Sequence, residues 1–128
     1  MTNTNINIVV VEDNDLLREE MVSFLTRPGW QAHGVGSGKD LNVWLKQETP
    51  HLVVLDVNLP FEDGYMIASR LRSRYPLIGI VIMTARALHG ERVIGYEAGA
   101  DVCLTKPPSI RELAAVVQNL SRRLPMPV

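Results

Sequence analysis

The residues with chemistry to offer stand just behind apolar runs. Glu12 and Asp13 follow the run Ile6–Val11, Asp56 follows 52–55, Thr84 follows 78–83, and Lys106 comes shortly after 102–104. Runs of successive β-branched and aliphatic residues mark strands buried on both faces, as in parallel sheets. Open parallel sheets bind ligands at the carboxyl ends of their strands. Three acids, one hydroxyl and one lysine are therefore expected on a single rim. Carboxylates gathered that closely repel one another, and without a cation at least one pKa must rise. A hard divalent ion such as Mg²⁺ removes that strain, taking one or two carboxylates together with waters and phosphate oxygens. A carboxylate is also a competent nucleophile toward a phosphoryl group. Transfer of that group asks for positioning and charge neutralisation. Lys106 and a metal would neutralise the equatorial oxygens, and Thr84 would offer its hydroxyl to one of them.

Each residue taken singly has a plainer explanation. Asp13 or Asp15 suits the cap of a first helix. Asp56 suits the opening of a turn before Pro60, Thr84 the cap of a fourth helix, and Lys106 a solvated surface. Capping does not explain why three acids and a lysine fall at the ends of different strands.

The elements that must position these groups follow from periodicity. Leu17, Met21 and Leu25 recur on one helical face, and Pro28-Gly29 ends that helix. Residues 31–35 read as a weaker second strand, and Gly36, Ser37 and Gly38 as a loop. Leu41, Trp44 and Leu45 give the apolar face of a second helix, broken near Pro50. Trp44 is expected in the core, and Trp30, beside the Pro-Gly break, partly exposed. After the third strand comes a loop with Pro60, Asp63 and Gly64, then a helix carrying Met66, Ile67 and Leu71 that ends before Pro76. A fourth helix is expected over His89–Ala98 with Gly99 as its C-cap. The fifth strand covers 102–104, and the last helix covers 110–124 with Leu113, Val117, Leu120 and Leu124 as its stripe. Strand and helix alternate five times, which argues for a parallel sheet covered by helices on both faces.

Bulk properties narrow the classes. The 128 residues are 46% hydrophobic, enough for one domain with a real core. That domain is expected over residues 1–124, with 125–128 as a tail or the start of a linker to an effector. A net charge of −1 lacks the basic surplus of a nucleic-acid reader. The single cysteine, Cys103, rules out an internal disulfide and a Cys-rich zinc site. His33, His51 and His89 are scattered without metal-ligand spacing. No stretch approaches the roughly 20 apolar residues of a membrane span, and residues 1–5 do not resemble a secretory leader. The expectation is a soluble, cytoplasmic protein with no membrane partner.

Glu12-Asp13, Asp56, Thr84-Ala85 and Lys106-Pro107 together resemble the signature of response-regulator receiver domains of two-component signalling. Leu59-Pro60, Asp63-Gly64 and Glu97-Ala98-Gly99-Ala100-Asp101 extend the resemblance, which covers nearly the whole chain. The likeness implies a doubly wound (βα)5 fold, flavodoxin-like or CheY-like, with five parallel strands in the order 2-1-3-4-5. It implies Asp56 as phosphoacceptor and a Mg²⁺ cofactor held by Asp13, by Asp56, by Glu12 through a water and by the backbone carbonyl of Asn58. Thr84 and the Ala85 amide would bind phosphoryl oxygens. Lys106 would pair with the acyl phosphate, and its bond to Pro107 is expected to be cis. The implied partner is a sensor histidine kinase, and the implied role is a phosphorylation switch controlling transcription through an attached or partner effector. Such a domain is not an enzyme with its own substrate, beyond self-phosphotransfer and slow auto-dephosphorylation.

Two positions depart from the family's pattern. Its switch pairs the threonine with an aromatic residue three positions before the lysine, and here that position is Cys103. Cys103 reads as a core hydrophobe, the sharper alternative being a redox-sensing thiol. Receivers joined to winged-helix domains often dimerise through the fourth helix, fifth strand and fifth helix using charged residues. Arg92, Asp101, Arg111 and Glu112 resemble part of that set, whereas Val102 and Val116 replace charges. A homodimer on that face is thus one expectation. Rival readings are a pseudo-receiver not switched by phosphorylation, a stand-alone or hybrid-kinase receiver, and a small aspartyl-nucleophile phosphatase. The phosphatase lacks its general acid, because Asn58 stands two residues after Asp56. A nucleotide-binding flavodoxin-like protein lacks its Gly-rich loop after the first strand.

Overall fold

A computed structural model describes residues 5–85 and 88–123. Five strands, β1 (Ile6–Val11), β2 (Trp30–Val35), β3 (Leu52–Asp56), β4 (Gly79–Thr84) and β5 (Val102–Thr105), alternate with five helices. The helices are α1 (Asp15–Leu25), α2 (Gly38–Leu45), α3 (Gly64–Arg74), α4 (His89–Ala98) and α5 (Ile110–Ser121). All strand pairs are parallel, in the order β2-β1-β3-β4-β5. The expected doubly wound architecture is the one observed.

Alternation along the strands divides the core in two. Ile8, Val10, Leu52, Val54, Val81 and Met83 face Met21, Leu25, Leu113, Val117 and Leu120 of α1 and α5. Val9, Val11, Val53, Leu55, Ile80 and Ile82 face Leu41, Ile67, Ala68 and Leu71 of α2 and α3. Most of these side chains are fully buried. Each stabilises the fold by about 1.5–3 kcal/mol relative to exposure.

This arrangement opens a crevice. The chain leaves β1 for α1 on one face, and leaves β3 for α3 on the other. β1 and β3 are neighbours, so their loops diverge at the point where the strand order reverses. Crevices of this kind are where open α/β sheets hold ligands.

Several boundaries differ from the sequence expectation. Trp30 is buried at 8% exposure rather than partly exposed, because β2 already begins there, paired with Ile6. The Arg27 guanidinium stacks over its ring at 4.4 Å. Trp44 is only half-buried, packed against the second core and 5.7 Å from the His33 ring. Gly38 opens α2 instead of lying in the loop, since Ser37 accepts a capping bond from the Asp40 N–H. The last helix ends at Ser121, short of 124, and Leu124 lies outside the described residues. No helix among the described residues is long and apolar enough to cross a membrane.

Candidate functional site

The strand ladder sets the rim. Asp56 closes β3 and is paired in register with Met83, while Thr84 closes β4 opposite Thr105. Backbone bonds continue past the strand ends: Glu12 N–H donates to Val35 O at 3.0 Å, and Lys106 N–H to Thr84 O at 2.7 Å. These bonds carry Glu12 and Lys106 onto the same edge as Asp56.

The side chains then converge. Lys106 Nζ lies 2.6 Å from Asp56 Oδ2 and 2.8 Å from Glu12 Oε1. Asp56 and Glu12 are fully buried, and Thr84 nearly so. Carboxylate oxygens of Glu12, Asp13 and Asp56 all fall within 4.8 Å of one another, with Asp13 on the exposed side. Asp56 Oδ1 accepts from the Asn58 N–H at 3.0 Å, and Glu12 Oε2 from the Asn14 N–H at 2.9 Å. Glu12 Oε1 receives no hydrogen bond, because its close contact with Lys106 is a charge pair off the line of one.

The electrostatics follow from this packing. Burial pushes the Glu12 carboxyl above its ordinary value; contact with Lys106 and the Asn14 N–H pull it back, and the Asp56 charge pushes it up again. For Lys106, burial alone would lower the pKa, but its hydrogen bond to Asp56 and its close contact with the Glu12 carboxylate outweigh that and raise it. One ammonium thus faces three acids. Carboxylate oxygens from two buried residues and the exposed Asp13, gathered around a single ammonium, are hard ligands that fit a divalent cation.

Helix capping does not account for these residues. The cap of α1 is Asn14, which accepts from Leu17 N–H, so neither Asp13 nor Asp15 is used for capping. The N-cap of α4 is Leu88, not Thr84. Asp56 does open a turn, through its bond from Asn58 N–H, but it also holds Lys106. The Lys106–Pro107 bond is cis, as expected.

Thr84 and the exposed Ala85 line an open recess of about 330 Å³ with Val57, Asn58, Tyr65, Glu91 and Ile94. Thr84 Oγ1 donates to Glu91 Oε2 at 3.4 Å, and the Thr84 side chain also bonds Tyr65. Burial, reinforced by the Glu91 charge, raises the Tyr65 pKa. Tyr65 was not singled out from the sequence, where it is one aromatic at the start of a helix. Its proximity to Thr84 arises from the separate approach of α3 and β4.

Cys103 is partly buried against the α2–α3 core. Burial pushes its thiol up, opposite to what a redox-sensing thiolate needs. A Cβ added to Gly95 would stand 2.6 Å from Cys103 Sγ, so α4 approaches β5 too closely there for a side chain. Asp101, one of the expected dimer charges, is bonded within the chain to Arg72 at 2.8 Å and to the Ile80 N–H.

Comparison with known proteins agrees with this geometry. Residues 8–118 match the response regulator receiver domain family. The chain is 36% identical over 118 residues to the TorCAD operon transcriptional regulatory protein TorR of Escherichia coli K12, covering 92% of this chain and 51% of that protein. It is 40% identical over 119 residues to the transcriptional regulatory protein GltR of Pseudomonas aeruginosa, covering 91% and 49%. The chain therefore spans about half the length of these curated relatives. Among solved structures, the receiver domain of the TMAO respiratory response regulator TorR superposes with a TM-score of 0.86 at 36% identity, covering 94% of this chain and 99% of that one. The rim of acids, threonine and lysine on a 2-1-3-4-5 sheet and these matches lead to one conclusion: the chain belongs to the response regulator receiver domain family.

Proposed function

We propose that this receiver domain takes a phosphoryl group on Asp56 from a sensor histidine kinase. The observation that carries the reading is the buried Asp56 carboxylate, bonded to Lys106 and grouped with Glu12 and Asp13. Asp56 supplies the attacking oxygen, and the Asn58 N–H on Oδ1 orients the carboxylate. Lys106 balances charge on the acceptor and on the incoming group. Asp13, Asp56 and the Asn58 carbonyl would hold Mg²⁺, with Glu12 acting through a water. When bound, the ion supplies the positive charge that the carboxylates and phosphoryl oxygens require. The Thr84 hydroxyl and the Ala85 amide would receive the remaining oxygens.

An acyl phosphate carries roughly −1.5 to −2 charges at neutral pH, in place of the single negative charge of the carboxylate. Drawing Thr84 toward that charge breaks its bonds to Glu91 and Tyr65, which links the site to α3 and α4. The output is control of transcription through an effector, in keeping with the printed names of the relatives. Pairing of two copies through α4, β5 and α5 is part of this reading, with Arg92, Arg111 and Glu112 left for it once Asp101 holds Arg72. Light scattering with and without beryllofluoride tests it: a monomer in both states removes the dimer.

The chemistry is tested by incubating the protein with phosphoramidate and Mg²⁺ and taking an intact mass. One added phosphoryl group is expected, lost in Asp56→Asn and in EDTA. A folded protein that neither gains the group nor binds beryllofluoride would be an interaction module not switched by phosphorylation.

A further inference from the structure

Arg18, on α1, belongs to none of the groups assigned above. Its stem crosses the end of β2. A Cβ built on Gly34 would stand 2.9 Å from Arg18 Cγ and 3.0 Å from Cδ, and one on Gly36 would stand 3.3 Å from Nη1. The side chain therefore occupies a slot that exists because two strand-end residues carry no side chain. At the end of that slot Nη1 donates to the Glu12 backbone oxygen at 2.8 Å, and Nη2 to Asp15 Oδ1 at 2.6 Å.

Glu12 is thus held at both of the peptide groups that flank it. Its N–H donates to Val35 O, and its carbonyl accepts from Arg18. A peptide is planar, so fixing the direction of the Glu12 carbonyl fixes the plane that carries the Asp13 N–H and Cα. Asp13 is the exposed member of the acid trio. Repulsion from Glu12 and Asp56 would turn it outward unless the backbone held it.

We propose that Arg18 is a positioning residue for the cation site, orienting Asp13 through the Glu12–Asp13 peptide, with Gly34 providing the slot. The proposal rests on the reading of Glu12, Asp13 and Asp56 as the cation site. Partners one step removed from metal ligands commonly contribute 10–100-fold to affinity, and a charged donor on a carbonyl is stronger than a neutral one.

The test is Mg²⁺ titration calorimetry, without phosphodonor, on the wild type and variants, with thermal melts alongside. Arg18→Met keeps the stem and loses the donors; it is expected to weaken Mg²⁺ binding about tenfold. Arg18→Lys, with one ammonium for two acceptors, should fall between. Gly34→Ala fills the slot and should weaken binding in the same direction. Asp15→Asn removes only an exposed ion pair, 84% open on the aspartate side, and should leave the affinity unchanged. In phosphoramidate labelling, Arg18→Met should need more Mg²⁺ for half-maximal rate yet regain the wild-type rate at saturation. Arg18→Met binding Mg²⁺ as tightly as the wild type would overturn the proposal. So would a rate that stays low at saturating Mg²⁺ in step with a lowered melting point, which marks a merely structural role. A wild type that binds no Mg²⁺ would instead remove the site reading itself.

Discussion

The two ends of this sheet are built on opposite principles. At the carboxyl end, one lysine answers three acids and Glu12 Oε1 is left without a hydrogen bond. At the amino end, Arg72 donates to the carbonyls of Gly99, Pro76 and Ile78 and to Asp101, and Asp101 accepts in turn from the Ile80 N–H. His51 stitches the same end, its Nδ1 accepting from the Asn7 N–H and its carbonyl from the Gly79 N–H. One edge is satisfied by the chain alone. The other gathers a surplus of negative charge that could hold a metal ion. Unmet electrostatic demand thus marks the functional rim, and saturated bonding marks the structural floor.

Substitutions at the two ends should separate these roles. The largest effect is expected from Asp56→Asn, which should abolish labelling by phosphoramidate in an intact-mass assay. It should also raise stability in metal-free buffer by about 1 kcal/mol, because a buried like charge is gone; a stability loss there would break the contrast. Arg72→Met should do the reverse. Chemical denaturation should show a loss of about 2 kcal/mol, from carbonyls left without their donor, while phosphoramidate labelling of the folded protein persists.

A smaller effect is expected at Phe61, which stands on the rim side with φ 69° and its ring fully exposed. The surrounding loop leaves little choice. Gly64 sits where a Cβ would meet Val57 Cα, and Glu62 is tied to Arg70 at 2.7 Å. A left-handed conformation costs a bulky residue about 1–2 kcal/mol, and asparagine tolerates it better. Phe61→Asn should therefore stabilise the protein by about 1 kcal/mol in the same denaturation assay. No gain would mean that the ring stabilises the loop after all.

The smallest effect concerns the floor. Burial holds the His51 pKa below its ordinary 6.5. The unfolded chain then binds the proton more readily, so stability falls as acid is added. The His51 contribution should be whole above about pH 6.5 and should decline below it, toward the folded-state pKa. Melting profiles of His51→Gln should lack that step, and an unchanged profile would remove His51 from the floor.

Much of this was legible in the sequence for a physical reason. Strands buried on both faces are continuous apolar runs, and their ends announce the rim, so Glu12, Asp13, Asp56, Thr84 and Lys106 could be placed together before any geometry. Trp30 was misplaced because its burial depends on the start of β2 and on Arg27 stacking over it. Tyr65, Arg18 and Arg72 were illegible as functional or structural hubs. Arg18 and Arg72 act on backbone carbonyls, which carry no residue-type signal, and the main partners of Arg72 lie 27 and 29 residues away. Phe61 shows the same limit, since a positive φ is imposed by loop closure and not by the residue.

The most direct measurement is localisation of the phosphoryl group. The protein would be labelled with phosphoramidate and Mg²⁺, the acyl phosphate trapped by borohydride reduction, and the peptides mapped by mass spectrometry. The account predicts a single modified residue, Asp56, with none when Mg²⁺ is withheld. Modification at another residue, or at Asp56 to the same extent without the metal, would contradict it.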